Sequence, residues 1–574
     1  MAPSGVHDRI VDAVVNAADT PAIVSSESVS HSLQPMLTPP TTLHEKISQL
    51  IFPRIGSNMM PTISVEDDAA RIERLMDDYP VGGLCLFNGD RIQTPQTLAR
   101  LQSRSAFPLL VATDMERGLG QQLKGATVFP HAMAFQAAGK EAEALLEASA
   151  RAAAREALAA GLHISFSPVA DIHSNPANPI ISTRAYGTSP ETVSDLLRAY
   201  IKGCQAEGLF TTAKHFPGHG DTDVDSHETL PVVTRDREAL EAQEFIPFRS
   251  AMEAGVSLIM TAHVAYPALD PSGVEATRSG AIMRDLLRKE MGFKGVLISD
   301  SLLMAGAGGR EEHPGEMAAA LLEAGLDILL DIKDIPATVD YLVSAIESGQ
   351  LSESLVDAAL SRVWSLKVRF AARFGKGAFV DPSLAVPYDE IGCQRHRELA
   401  DTIASKAIQA QSGSKESFRL PAPRMGQKGP ICFLVRPHTT YNDPTQAPLE
   451  KAFLKAFPDG AFVEINPDTD SDEQARALEV AGHHRAVIVA AVVKPAAWHR
   501  FGLLPMQKAF IQQLTDAYPV WLAALGTPHV LDDFPDVRAS MCAFSDVEPS
   551  MNALVRFLQQ HDSPAHTPSP GMLP

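Results

Sequence analysis

Cysteine is scarce. Cys85, Cys204, Cys393, Cys432 and Cys542 are the only 5 in 574 residues, odd in number, scattered, and never in a CxxC pair. A disulfide framework and a paired-cysteine zinc site are thereby disfavoured, and a reducing compartment fits. Positive charge is also short, with 49 Lys plus Arg against 69 Asp plus Glu and a net charge of −20. Nucleic-acid and anionic-membrane partners both need a positive field, so neither is expected. Aromatics are 6% of the chain, and no stretch approaches the roughly 20 apolar residues of a membrane helix. No GxxxxGK[ST] or GxGxxG loop is present to cradle phosphates, no HExxH to hold zinc, and no GxSxG turn to present a serine. The first 41 residues lack a charged start followed by an apolar core, so no secretory signal and a cytoplasmic location are expected.

The remainder is ordinary globular composition, 45% apolar and 21% charged. The length exceeds one compact domain, so two are expected. Residues 1–42 are rich in Ser, Pro and Thr and have little to bury, which predicts a disordered segment. Residues 562–574 read the same way. From 43 to 375, short β-branched runs alternate with helical stretches: Val81–Phe87, Leu109–Asp114, Ile164–Asp171, Thr211–Phe216, Leu258–His263, Gly295–Asp300 and Asp327–Asp331. Apolar strands separated by helices mean a parallel sheet covered on both faces. Seven such units predict a (β/α)8-type, TIM-like barrel with one strand altered or missing, and a doubly wound open sheet is the competing arrangement. Residues 376–395 break the helical pattern and serve as a linker. Residues 396–561 repeat the alternation on a smaller scale, with strands at Ile431–Val435, Ala461–Ile465, Ala486–Val493 and Val520–Ala524. They predict a flavodoxin-like α/β sandwich.

Several barrel strands end in an ionisable residue: Asp114, Asp171, Lys214-His215, His263, Asp300 and Asp331. The carboxyl ends of barrel strands open onto one face, where the chemistry of such folds sits. An aspartate after a strand also caps the next helix, so for Asp171 or Asp331 alone both readings stand. As a set, a shared polar pocket is the better account.

The densest segment is Lys214–His227, KHFPGHGDTDVDSH, with three His, three Asp and one Lys in fourteen residues. Asp221, Asp223 and Asp225 imitate the start of a calcium loop, but Ser226 and Val232 stand where that loop requires Gly and Glu. Zinc through His215, His219 and an aspartate is chemically possible. Acid–base work is the third reading. Asp225 and His227 lie two apart, so in an extended loop both point the same way. A carboxylate on one imidazole nitrogen fixes the tautomer and raises the basicity of the other. Such a dyad needs a fixed carboxylate partner, and Asp300 at the end of its strand is the candidate. In the second domain, Trp498-His499-Arg500 follows a predicted strand and reads as surface packing.

At these residues the chain resembles the glycoside hydrolase family 3 β-N-acetylglucosaminidases. Lys214–His227 matches that group's signature almost letter for letter. Thr113-Asp114-Met115-Glu116, Ser167–Asp171 with Asn175-Pro176 and Asn178-Pro179, Thr183–Gly187, and Ile298–Leu302 agree in order. The likeness covers residues 43–375 firmly and the C-terminal part more weakly. It implies that Asp300 is the nucleophile and His227 the acid/base, with Asp225 orienting it. Asp114, Arg184, Lys214 and His215 would hold the sugar hydroxyls and the N-acetyl group. It implies a small carbohydrate substrate and hydrolysis of terminal β-linked N-acetylglucosamine with retention, as in peptidoglycan recycling; neither a cofactor nor a metal is expected. A β-glycoside phosphorylase and a β-glucosidase are the alternatives. The chain departs from the pattern at Arg117, where Gly is usual, at Leu119 and Gln122, where arginines are usual, and at Ser301, where a second Asp is usual.

Overall fold

The computed structural model describes residues 37–222, 230–304, 313–438, 448–495 and 501–562. The chain forms two compact units. The first comprises residues up to Val128, Lys140–Ile181 and Ala185–Leu399, and the second Phe129–Gly139, Ser182–Arg184 and the chain from Ala400. Residues 376–395 carry three short turns and cluster with the first unit.

The first unit is a closed parallel barrel. Its strands are β1 (Ile51–Phe52), β2 (Arg54–Ile55), β3 (Gly83–Leu86), β4 (Leu110–Thr113), β5 (Ile164–Ser165), β6 (Phe210–Phe216), β7 (Leu258–Thr261), β8 (Val296–Ile298) and β9 (Leu329–Leu330). Seven pair in the order β8-β7-β6-β5-β4-β3-β2, and β1 pairs with β9. The ring closes because β1 and β2 are halves of one stave about Pro53. Leu329 N donates to Leu50 O on one side at 2.8 Å, and Cys85 N to Pro53 O on the other at 2.8 Å. Between β8 and β9, Ile298 bridges Ile328 in parallel. The eighth strand that the sequence left missing is therefore Ile51–Ile55. Proline donates nothing to a ladder and splits its run into two-residue pieces, but the Pro53 carbonyl still accepts and the stave holds.

Buried Asp327 fastens the last seam. It accepts from Leu297 N at 2.8 Å and from Arg362 Nε at 2.9 Å, and it pairs with Arg288. The outer helices follow their sequence signals. Pro190–Glu207 starts at Ser189, whose side chain accepts from Thr192 N, takes Pro190 in its first turn and ends at Gly208 with φ 98°. Each device satisfies or tolerates a helix end: a hydroxyl for an orphan N–H, a ring where no N–H is needed, and a left-handed stop.

The second unit is a six-stranded sheet of β10 (Gln409–Ser412), β11 (Ile431–Val435), β12 (Ala461–Ile465), β13 (Val487–Ala491), β14 (Val520–Ala524) and β15 (Ala539–Cys542). Their order is β10-β15-β14-β13-β11-β12, parallel except for β10. Ile431, Phe433 and Val435 enter one core, and Cys432 and Leu434 the other. That two-residue alternation, apolar on both sides, is the signature of a sheet covered on both faces. Two strands escaped the sequence reading. Gln409–Ser412 is polar and mostly exposed, and Ala539–Cys542 is short and carries little β-branching.

Candidate active site

The strand ends bring their polar residues together as a barrel requires. Lys214, on β6, has a side chain only 3% exposed and is held between two carboxylates, 2.6 Å from Asp114 Oδ1 and 2.8 Å from Glu116 Oε1. A buried ammonium persists only when paired, and here the end of β4 supplies both partners. Asp114 is the more open of the two, with 29% of its side chain exposed. Glu116 is a functional candidate that the sequence reading placed in a motif but not in the site; its signal was the D-x-E spacing.

His215 Nδ1 stands 2.6 Å from Asp171 Oδ2. The same carboxylate accepts from His219 N at 2.7 Å. Burial pushes the Asp171 carboxyl up, but His215 and His219 outweigh it and hold the group below the ordinary aspartate range. Asp171 is thus a partner of the histidine loop and not a helix cap. Asp331 makes an ion pair with Arg54 and accepts from Ser301 Oγ at 2.8 Å. The capping task after β9 falls to Asp334, which accepts from Ala337 N.

Asp300 follows β8 and is half-buried. Burial pushes its carboxyl up, yet His215, His263 and Lys214 nearby and a 2.7 Å bond from Ser301 N hold it below the usual range. It is therefore an ionised carboxylate facing cationic and imidazole groups at a strand end. His263 is fixed in turn by Thr277 Oγ1 at 3.0 Å from its Nδ1.

The first unit therefore joins Asp114, Lys214, His215 and Asp300. Arg184 lies half-buried on the turn Ser182–Arg184, a segment of the second unit. Asp225 and His227 lie outside the described residues, as do Trp498-His499-Arg500.

Asp221, weighed as a calcium ligand, is committed to Arg235 at 2.7 Å. Among the described residues one other group gathers metal-donor atoms, Glu390, Cys393 and His396 within 4.8 Å. Two of its three donors are already engaged: Glu390 with Arg155 and Arg395, and His396 Nδ1 with Glu156 Oε1 at 2.8 Å. Behind the histidine loop, Glu244 is buried with neither carboxyl oxygen hydrogen-bonded among the described residues. Burial pushes its carboxyl up to about 8, with Asp171 and Asp221 adding to the shift and Arg235 opposing it.

Residues 42–366 match the glycosyl hydrolase family 3 N-terminal domain. A β-hexosaminidase A of Pseudoalteromonas piscicida is 33% identical over 368 residues, 59% of this chain and 60% of that protein. A β-N-acetylglucosaminidase/β-glucosidase of Cellulomonas fimi is 30% identical over 347 residues, 59% of this chain and 61% of its own length. The chain thus spans about 60% of these two relatives. Among solved structures, a glycoside hydrolase family 3 β-N-acetylglucosaminidase from Paenibacillus sp. str. FPU-7 superposes with a TM-score of 0.77 at 31% identity, covering 91% of this chain and 97% of that one.

Proposed function

The chain belongs to glycosyl hydrolase family 3, and from that premise we propose that it is a retaining exo-β-N-acetylglucosaminidase acting on small GlcNAc-capped carbohydrates in the cytoplasm. The observation that carries this reading is Asp300, an ionised, half-exposed carboxylate at the mouth of the barrel beside the Asp114–Lys214–Glu116 cluster. Asp300 attacks the anomeric carbon while His227, oriented by Asp225, gives its proton to the departing oxygen. The sugar is left as an ester of Asp300. His227, now neutral, takes a proton from water, the water oxygen bonds to the anomeric carbon, and the Asp300 carboxylate leaves. Two inversions give net retention. A histidine base near the reaction centre repels an anionic acceptor less than a carboxylate would. Asp114, Lys214, His215 and Arg184 hold the sugar.

The name of the Pseudoalteromonas relative supports a hexosamine, that of the Cellulomonas relative N-acetylglucosamine together with glucose, and that of the Paenibacillus structure N-acetylglucosamine. No helix among the described residues is long and apolar enough to cross a membrane.

The test is turnover of p-nitrophenyl β-GlcNAc, β-glucoside and β-xyloside, with and without phosphate, while NMR follows the first anomer released. The expected result is fastest release from the GlcNAc substrate, with β-GlcNAc formed first in both buffers. GlcNAc-1-phosphate in phosphate buffer would make the protein a phosphorylase. α-GlcNAc as first product would remove Asp300 as nucleophile.

A further inference from the structure

We infer that Asn178 is a positioning residue for the acid–base step, an inference that rests on the assignment of Asp225 and His227 just given. Asn178 is wholly buried, so each of its amide donors and acceptors needs a partner. Its two ends do different things. Oδ1 accepts from Ile180 N at 2.9 Å and Ile181 N at 2.7 Å. That half is local and shapes only its own turn, as asparagine before proline commonly does.

The Nδ2 half is not local. It donates to His219 O at 3.0 Å, Gly220 O at 3.1 Å and Thr222 Oγ1 at 3.2 Å, partners 41, 42 and 44 residues away. An amide nitrogen has two hydrogens, so three acceptors use it fully. Turn formation requires none of these bonds.

The segment it grips is fixed from other directions too. His219 Nδ1 lies 2.8 Å from Thr222 Oγ1, and His219 N donates to Asp171. Gly220 is pressed so close to the chain after β5 that a Cβ there would lie 1.7 Å from Ile172 O. Residues 219–222 are thus clamped to the barrel, and the Asn178 side chain bonds three of the four. In sequence, Thr222 precedes Asp225 by three residues and His227 by five. A general acid works only within hydrogen-bond reach of its proton acceptor, and a displacement of about 1 Å costs on the order of 10²-fold. The residue that fixes the root of this loop therefore governs the reach of His227.

The amide separates its two tasks in one substitution. Asn178→Asp keeps an oxygen for Ile180 N and Ile181 N but turns the donors into an oxygen facing three oxygens. With the barrel folded by circular dichroism, kcat for an alkyl β-GlcNAc should fall on the order of 10²-fold. A dinitrophenyl β-GlcNAc, whose leaving group needs no proton, should form its glycosyl-enzyme within ~5-fold of the wild-type rate. KM should move little. Added azide should then speed turnover of the activated substrate and yield the β-glycosyl azide. The azide nitrogen bonds to the anomeric carbon as the ester C–O bond breaks, the electron pair returns to Asp300, and no base is needed because azide is already an anion. A defect of folding alone produces no glycosyl azide.

Thr222→Val removes the Asn178–Thr222 and His219–Thr222 bonds without placing charge in the core. It should show the same leaving-group pattern at roughly 10-fold, and it stands in should Asn178→Asp not fold. His227→Ala, run in parallel, separates the two readings. If His227→Ala shows the pattern and neither other variant does, Asn178 is only structural. If His227→Ala lacks it, the acid–base assignment falls and the inference with it. Equal losses on both substrates with no azide product would also overturn the positioning role.

Discussion

Lys214 shows how a single side chain organises this barrel. Its ammonium is nearly inaccessible and bridges Asp114 and Glu116, so the positive charge felt by Asp300 is fixed by carboxylates of another strand. Burial pushes the Asp300 carboxyl up, but His215, His263 and then Lys214 outweigh it and hold the group below the ordinary aspartate range. The acid limb of kcat/KM should therefore lie below the pH at which an unperturbed aspartate protonates, and an acid limb above that point would contradict the assignment. Asp300→Ala should lower kcat by ~10³-fold or more on every substrate, activated or not; a variant retaining a tenth of the activity would remove it from the chemistry. Glu244 makes a separate prediction about stability. An ordinary glutamate titrates near 4.5 and this one near 8. Between those values the unfolded chain has released a proton that the folded chain keeps. Its contribution is therefore complete below about 4.5 and is lost as pH rises through about 8. Glu244→Gln should flatten that decline, gaining on the order of a few kcal/mol over wild type at pH 8.5 relative to pH 4.5. Parallel urea midpoints for the two proteins across that range would refute it.

The strands show most clearly what local sequence can and cannot say. β11 is a continuous apolar run, legible because a doubly covered strand has nowhere to place a polar residue. β1 and β2 were not legible, since Pro53 splits the stave and its partners, Leu329 and Cys85, are remote in sequence. Ring closure is a property of pairing. The seam also depends on a charge that reads as a plain strand-start residue. Asp327 is wholly buried against Arg288 and Arg362, so Asp327→Ala leaves two guanidiniums without their carboxylate. It should cost about 3–5 kcal/mol of stability, read as a lower urea midpoint at unchanged m-value. A loss under about 1 kcal/mol would show that the pair is not what fastens β8 to β9.

For the molecule as a whole, the chemistry proposed needs only a carboxylate, an imidazole and water. In the Glu390–Cys393–His396 group, Glu390 is taken by arginines and His396 by Glu156. Dialysis against EDTA should thus leave activity within experimental error, whereas a loss restored by added zinc would reopen a metal mechanism. With a net charge of −20, the protein should bind an anion exchanger and pass a heparin column at neutral pH; retention on heparin would point to a concentrated basic face. The sequence by itself determined the two α/β units, the family and the identities of the strand-end residues, because periodicity, turn residues and a fourteen-residue motif are local properties. Only the tertiary structure decided that the barrel closes through a proline-split strand. Only it could show that Asp171 serves His215 and His219 rather than a helix. The long reach of Asn178, 41 to 44 residues along the chain, is of the same kind, since a contact between distant segments exists only once the barrel has brought them together.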